Sequence, residues 1–513
     1  MSSADIHALP WRKLVLVTLF LTAFFAPGHF ATPDAHVRLA QARNLVESGS
    51  LAVPEGVGNV THGNLAVGRD GLTYSVYNPG HPILLAPVYA AVNSLPLGLS
   101  QHDHYTAAFF GSFLGLLAHF ANGLVVLAVL VKLGVSPRRG ILVAGLFALG
   151  TVSLPSATDG YEHPFESLAV SAAFLCAVAS GRERSSARGG LLAGVLIGFG
   201  LLFRYTAVLA LPGLLLTLRS TRARVLAIAG TLPALIGTLI YNWYRFGSFL
   251  DTGYPSAWRL SHGDAIPRSG FDISQIPLNS FYLLTSPGKG LIWFAPVILL
   301  GLAGLPHLGR KSPRVAVGIG TATMVYLVFY SANFAWHGSV WSWGPRYLIP
   351  IVPLLMLPVA FLTPSRPWTW LVGLIVVSSI SVQAVAVTAD YRRHLLQEYS
   401  QNAQDFEYRL LHDPRASPVL GQYRSASHVV RATISTRPLH SYISPGPWQD
   451  VARPASIQMM LDSSVDLNAV NFWWLRVPFS VGRGLSAILC LVFGGVALFT
   501  SAVLLRSIWL ASE

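Results

Sequence analysis

Charge is scarce in this chain. Only 11% of its 513 residues are Asp, Glu, Lys or Arg, against 52% that are hydrophobic, whereas a soluble domain carries about 25% charged residues. A soluble multidomain fold is excluded, and the bilayer must be the main solvent. Cysteine is nearly absent as well. Cys176 and Cys490 both fall in apolar runs, where a free thiol behaves as a small hydrophobe, so no disulfide framework or thiolate metal site is indicated. Lysine is confined to Lys13, Lys132, Lys289 and Lys311. No internal repeat is visible. Nor is there an inverted pair of broken helices of the kind transporters carry, and the Gly-rich stretches lack the strand and helix context of a nucleotide-binding loop.

What the chain does have is a series of long apolar runs, each able to cross a hydrocarbon core of about 30 Å as a helix of roughly 20 residues. The net charge of +13 sits in short loops between alternate runs. These hold Arg12 and Lys13, Arg138 and Arg139, Arg182 to Arg188, Arg219 to Arg224, Arg310 to Arg314, and Arg366. That is the positive-inside pattern. With those loops in the cytoplasm, the cytoplasmic acids are Asp5, Glu183 and Glu513, and all others lie outside. The basic balance therefore reports topology, and no nucleic-acid partner is expected. The first run lacks a small-residue cleavage site followed by a soluble domain, so it reads as a retained helix.

The expected fold is an all-α polytopic membrane protein of about 12 transmembrane helices, with both termini cytoplasmic. The first helix (residues 11–29) leads into a large external loop, about 30–104. That loop contains a polar helical stretch at 34–48 with an apolar face suited to the membrane interface. A Gly-rich segment at 56–71 and an interfacial or re-entrant helix at 74–92 follow. Span two (105–133) and span three meet the outer turn at 156–164, and span four ends near Gly181. Two short helices then flank Arg204, which stands at an outer turn because a charge buried in one long helix is costly. Spans seven to eleven occupy 225–244, 291–308, 315–334, 347–362 and 368–389. The expected division is a membrane domain at 1–389, an external segment at 390–484, and a final helix with a cytoplasmic tail at 485–513.

Chemistry can sit at three places. Asp34 lies just beyond the first helix, at the height of a lipid head group, although an Asp there equally caps a helix. Asp159, Glu162 and His163 share a short outer turn and together could ligate a divalent ion, or simply form a solvated loop. Lys289, Arg346 and Arg204 are external cations near helix ends, suited to a phosphate or to snorkelling toward lipid head groups. Trp336, Trp341 and Trp343 fit an interfacial belt or aromatic faces for a sugar.

Several motifs in this order resemble bacterial members of the GT-C superfamily of membrane glycosyltransferases, which includes protein mannosyltransferases and lipid A aminoarabinose transferases. They are TPDAHVRLAQARNLVESG, GRDGLTYSVYNPGHPILLAPVY, GLLFRYTAVLALP, YNWYRFGSFLDTGY, SPGKGLIWFAP and WGPRYLIPIVP. The resemblance implies a GT-C-like fold and an inverting glycosyltransferase in the inner (plasma) membrane with an external, periplasmic site. Its donor would be a polyprenyl-phosphate-linked sugar, and its acceptor an envelope glycan, lipid or protein hydroxyl. It makes Asp34 the catalytic base and brings Tyr77 and His81 to the substrate. Many relatives carry an Asp-Glu pair where this chain has Asp34 followed by Ala35, which removes support for a metal at that motif. The cofactor is left open, a divalent ion at Asp159, Glu162 and His163 being the one option. The rival reading is a transporter or flippase of lipid-linked or anionic substrates, with a scaffold protein third.

Overall fold

A computed structural model describes residues 9–54, 64–94, 103–180, 184–257, 270–434, 470–475 and 485–511. The first part of the Gly-rich segment, residues 435–469 and 476–484 of the external segment, and Asp5, Glu183 and Glu513 lie outside the described residues.

Helices occupy every position where a span is expected. They are α1 Trp11–Phe25, α4 Asp103–Lys132, α5 Pro137–Gly150, α7 His163–Ala179, α8 Arg184–Leu201, α9 Leu211–Thr217, α10 Thr221–Phe246, α13 Ile298–Lys311, α14 Pro313–Ala332, α15 Val352–Met356, α16 Arg366–Thr388 and α20 Leu485–Ala511. Between them lie the short α6 Ser153–Thr158, α11 Ile276–Thr285 and α12 Leu291–Phe294. Among the described residues, four helices are long and apolar enough to cross a membrane: Thr106–Lys132, Thr221–Phe246, Pro313–Ala332 and Arg366–Thr388. Of the about 12 spans expected, these four stand out by length and composition, and the other apolar helices among the described residues are shorter, such as His163–Ala179, Ser186–Leu201 and Val492–Arg506. The tenth position shows why: Pro350, Pro353 and Pro358 divide it into 3-10 turns at Arg346–Ile351 and Leu357–Phe361 on either side of α15. Proline removes an amide donor and clashes with the preceding turn. The broken segment is tolerated because it is buried in the bundle, with Leu348, Ile349, Ile351, Val352 and Met356 at most 1% exposed, so its carbonyls do not face lipid.

The pair α8 and α10 packs closest, through a small-residue seam. A Cβ on Gly190 or Gly194 would collide with the carbonyls of Ala223 and Ala227. Gly190 and Gly194, four residues apart, let the two backbones meet, as small-residue pairs do in membranes.

The first loop folds against the bundle. Its helix α2 Pro33–Ser48 packs on α3 Gly80–Ser94, and a hairpin of β1 Leu65–Val67 and β2 Thr73–Ser75 lies beside them. The first part of the α2 face expected to lie on the membrane is covered by protein, Val37 contacting Val53 and Leu65 and Leu39 joining Phe30, Leu85 and Tyr89, while Val46 stays exposed. Arg245 at the end of α10 ties in the hairpin by donating to the carbonyls of Ser75 and Tyr77.

The start of the segment at 390–484 forms α17 Arg392–Gln401, α18 Phe406–His412 and α19 Pro418–Ile434. These dock on the membrane domain, Phe406 stacking on Trp341 at 5.0 Å and Ser286 donating to the Leu411 carbonyl at 2.6 Å. The aromatic triplet 472–474 grips the end of α1. The indoles of Trp473 and Trp474 donate to the carbonyls of Ala23 and Phe24 at 2.7 and 2.8 Å.

Candidate active site

Asp34 stands in the first turn of α2, and it is not the cap. Thr32 is, its hydroxyl accepting from the Ala35 amide at 3.3 Å and donating to the Asp159 carbonyl at 3.1 Å. Pro33 suits the first helical position because its missing amide proton has no partner there anyway. Thr32 thus fastens α2 to the turn between α6 and α7 and leaves the Asp34 carboxylate free to face outward. Its Oδ1 accepts from Asn64 Nδ2 at 2.7 Å, and its Oδ2 lies 3.8 Å from Arg346 Nη1. Both side chains are 12% exposed, and both line a cavity of about 500 Å³.

The far wall is an ion network. Arg38, one turn along α2 from Asp34, pairs with Glu162, and Arg204 Nη1 lies 2.6 Å from the other Glu162 oxygen. Arg204 Nε also reaches Glu166 Oε2 at 3.5 Å, and Glu166 accepts from Thr206 and Tyr326. Arg204 occupies the break between α8 and the 3-10 turn Tyr205–Ala210. Aromatic faces complete the wall, with Arg346 over Tyr161 at 4.5 Å, Arg204 over Tyr347 at 5.2 Å and Arg38 over Tyr77 at 4.1 Å.

The turn at 159–163 does not fit a divalent ion, because its side chains diverge. Glu162 is engaged by two guanidiniums. Asp159 accepts from the Tyr391 hydroxyl at 2.6 Å and pairs with Arg392 at 3.5 Å. Arg392 is itself clamped by Asp390 at 2.7 and 2.8 Å. His163 is fully buried against the rings of Tyr161 and Tyr347. No group of three or more metal-binding side chains converges among the described residues. Burial raises the Asp159 carboxyl to about 6, with Arg392 and Tyr391 opposing the rise.

The remaining candidates separate. Tyr77 lines the cavity beside Asp34. His81 is buried on α3 against Phe165, ring centroids 5.2 Å apart, and is not part of the cavity lining. Lys289 turns inward behind the wall, its ammonium donating to the carbonyl and hydroxyl of Ser342. Burial, seconded by Arg346, pushes it well below the ordinary lysine range, so it is a poor anchor for phosphate. Of the three tryptophans, Trp341 lines the cavity. Trp343 packs on Phe294 and Tyr391, and Trp336 stacks on Tyr282. Arg38, Asn64, Tyr161, Tyr347, Arg392 and Glu407 join the cavity or its network without having been singled out by the sequence. Only Arg38 carried a local signal, since its i+4 spacing puts it on the Asp34 face of α2.

A second cavity of about 320 Å³ shares Tyr77, Glu162, Arg204, Tyr254 and Tyr347 with the first and is otherwise lined largely by aromatic side chains, among them Phe203, Phe271, Phe329 and Tyr330. A polar chamber holding a carboxylate and a guanidinium thus adjoins an apolar one. The pair suits an amphiphilic substrate, with a polar head in the chamber lined by Asp34 and Arg346 and a greasy portion along the rings.

No family model matches the chain, and no curated protein matches it. Among solved structures it is similar to the oligosaccharyltransferase of Archaeoglobus fulgidus tethered to an acceptor peptide. The identity is 12% and the TM-score 0.47, over 78% of this chain and 58% of that one, so this chain spans little more than half the length of that protein. It is also similar to ArnT of Cupriavidus metallidurans in two states. The apo state gives 16% identity and a TM-score of 0.44, over 92% of this chain and 78% of that one. The state bound to undecaprenyl phosphate gives 16% and 0.42, over 83% and 80%. Both proteins are GT-C glycosyltransferases.

Proposed function

We propose that this chain is an inverting glycosyltransferase that moves a sugar from a polyprenyl-phosphate carrier to a hydroxyl acceptor, with Asp34 as the base. The observation that carries the reading is the placement of Asp34 opposite Arg346 across one cavity wall. Their 3.8 Å separation exceeds a hydrogen bond and leaves donors and acceptor free for a substrate. A helix cap or a structural ion pair would have been closed.

In this mechanism the Asp34 Oδ2 takes the proton of the acceptor hydroxyl as its oxygen attacks the anomeric carbon. The bond from that carbon to the phosphate oxygen breaks on the opposite face, and the configuration inverts. The bond electrons stay with the departing phosphate, which gains one negative charge as it becomes a monoester. Arg346 is placed to receive that charge, supported by Arg204 at the junction of the two cavities. Fixed guanidiniums in a water-poor cleft stabilise developing charge more than water does. Asn64 holds the Asp34 carboxylate in register, and Tyr161 and Tyr347 present π faces to the sugar and to the two arginines. The cleft is assigned to the non-cytoplasmic face because Lys132, Arg219, Lys311 and Arg314 cluster at the other end of the same helices.

The deciding experiment is glycan and glycolipid profiling of a deletion strain complemented with wild type or Asp34→Asn at matched expression. Removing a general base of this kind lowers rate by about 10²–10⁴-fold, so the Asn strain should lack the same glycoform as the deletion strain. Full rescue by Asn, or no glycan change on deletion, would overturn the reading.

A further inference from the structure

The end of the bundle opposite the cleft carries a third cavity that glycosyl transfer does not use. Helix α4 begins near the cleft, where His104 meets His36 of α2 at 3.0 Å, and runs for 30 residues to Lys132. At about 1.5 Å per residue this places its two ends roughly 45 Å apart. Around Lys132 lies a cavity of about 610 Å³. Its rim holds four cations brought from four separate places: Lys132 at the end of α4, Arg219 between α9 and α10, Lys311 at the end of α13 and Arg314 at the start of α14. Leu133, Ala177, Val178 and Val315 are the apolar members of its lining, beside Thr217 and Ser312.

Two features separate this from scattered topogenic charge. No carboxylate lines the cavity among the described residues, and none of the four cations has an ion pair with one there. Their polar contacts hold them as a rim: Lys311 Nζ donates to the Gly134 carbonyl at 3.3 Å, and Arg314 Nη1 to the Arg219 carbonyl at 3.1 Å. A cluster of four cations with no carboxylate partner among the described residues, at the level where membrane helices end, matches an anionic head group. Basic pockets between helices on this side of a membrane recognise lipid phosphates in that way.

We propose that this cavity binds the phosphate head group of an anionic phospholipid from the leaflet opposite the cleft. The test is native mass spectrometry of the detergent-solubilised full chain with dioleoyl-phosphatidylglycerol, dioleoyl-phosphatidylcholine or inorganic phosphate added. Phosphatidylglycerol should be retained in preference to phosphatidylcholine and should survive excess inorganic phosphate. Removing two rim charges in Lys311→Gln/Arg314→Gln should weaken retention by roughly tenfold or more, and Lys132→Gln should weaken it less. Arg12→Gln/Lys13→Gln, which removes the same charge from the same end of the bundle, should leave it unchanged. Equal retention of both lipids, or an effect no larger for the rim variants than for the Arg12 and Lys13 variant, would overturn the site. Displacement by inorganic phosphate would overturn the lipid as its ligand.

Discussion

The two ends of this bundle use the same side chains to opposite effect. At the cleft, Arg38 and Arg392 are almost entirely buried, Arg204 is mostly buried, and each is locked to a carboxylate. At the other end, Lys132, Arg219, Lys311 and Arg314 are exposed and lack such partners among the described residues. The first arrangement is stiff, because a buried guanidinium stripped of its counter-charge is costly. The second is available, because exposed cations keep their hydration until a ligand replaces it. Within the cleft the same contrast recurs on a smaller scale. Arg346, held 3.8 Å from Asp34, is looser than its neighbours, and looseness marks the place for a substrate.

The contrast breaks most sharply at Glu162. Glu162→Gln keeps the shape but leaves Arg38 and Arg204 without their shared counter-charge, which should cost about 3–5 kcal/mol and lower the melting temperature of the purified protein markedly. Lys311→Gln/Arg314→Gln removes as much formal charge and more, yet should leave melting within error. Equal melting of the Glu162→Gln protein and wild type would show that the cleft network is not held by charge.

A smaller effect is expected from pH. Burial holds the Asp159 carboxyl near 6 in the folded chain, against about 4 when unfolded. Between those values the folded state keeps a proton that the unfolded state has lost, so stability falls as pH rises from about 4 to about 6 and is level above. The melting difference between wild type and Asp159→Asn should therefore shift in favour of wild type as pH is lowered through that window. A difference independent of pH would show that Asp159 does not titrate there.

The smallest effect is expected at Lys289. Its ammonium faces Ser342 and not the cavity, so Lys289→Met should leave transfer per folded molecule unchanged. A loss of transfer with normal folding would return Lys289 to the phosphate site.

How much of this was legible beforehand differs by residue. Asp34 could be singled out because its credential, a carboxylate just outside the first helix, is local. The turn at 159–163 is open locally to a divalent ion or to a solvated loop, and its side chains diverge because Asp159 meets Tyr391 and Arg392, more than 200 residues away. Lys289 looked external and free, but a side chain in a Gly-Pro turn can point either way, and packing under residues 339–343 turned it inward. Arg392 drew no notice in a segment that reads as polar surface.

Hydrophobicity and the spacing of basic loops determined by themselves that the chain is α-helical and embedded in a membrane, and roughly where its apolar segments lie. Both follow from the cost of exposing peptide groups or charge to hydrocarbon, which is counted along the chain. Which cations are neutralised, which carboxylate stays open, and that two cavities meet at Arg204 was decided by tertiary structure alone. Ion pairing depends on a few ångströms between residues far apart in sequence, and composition and periodicity hold no record of those distances.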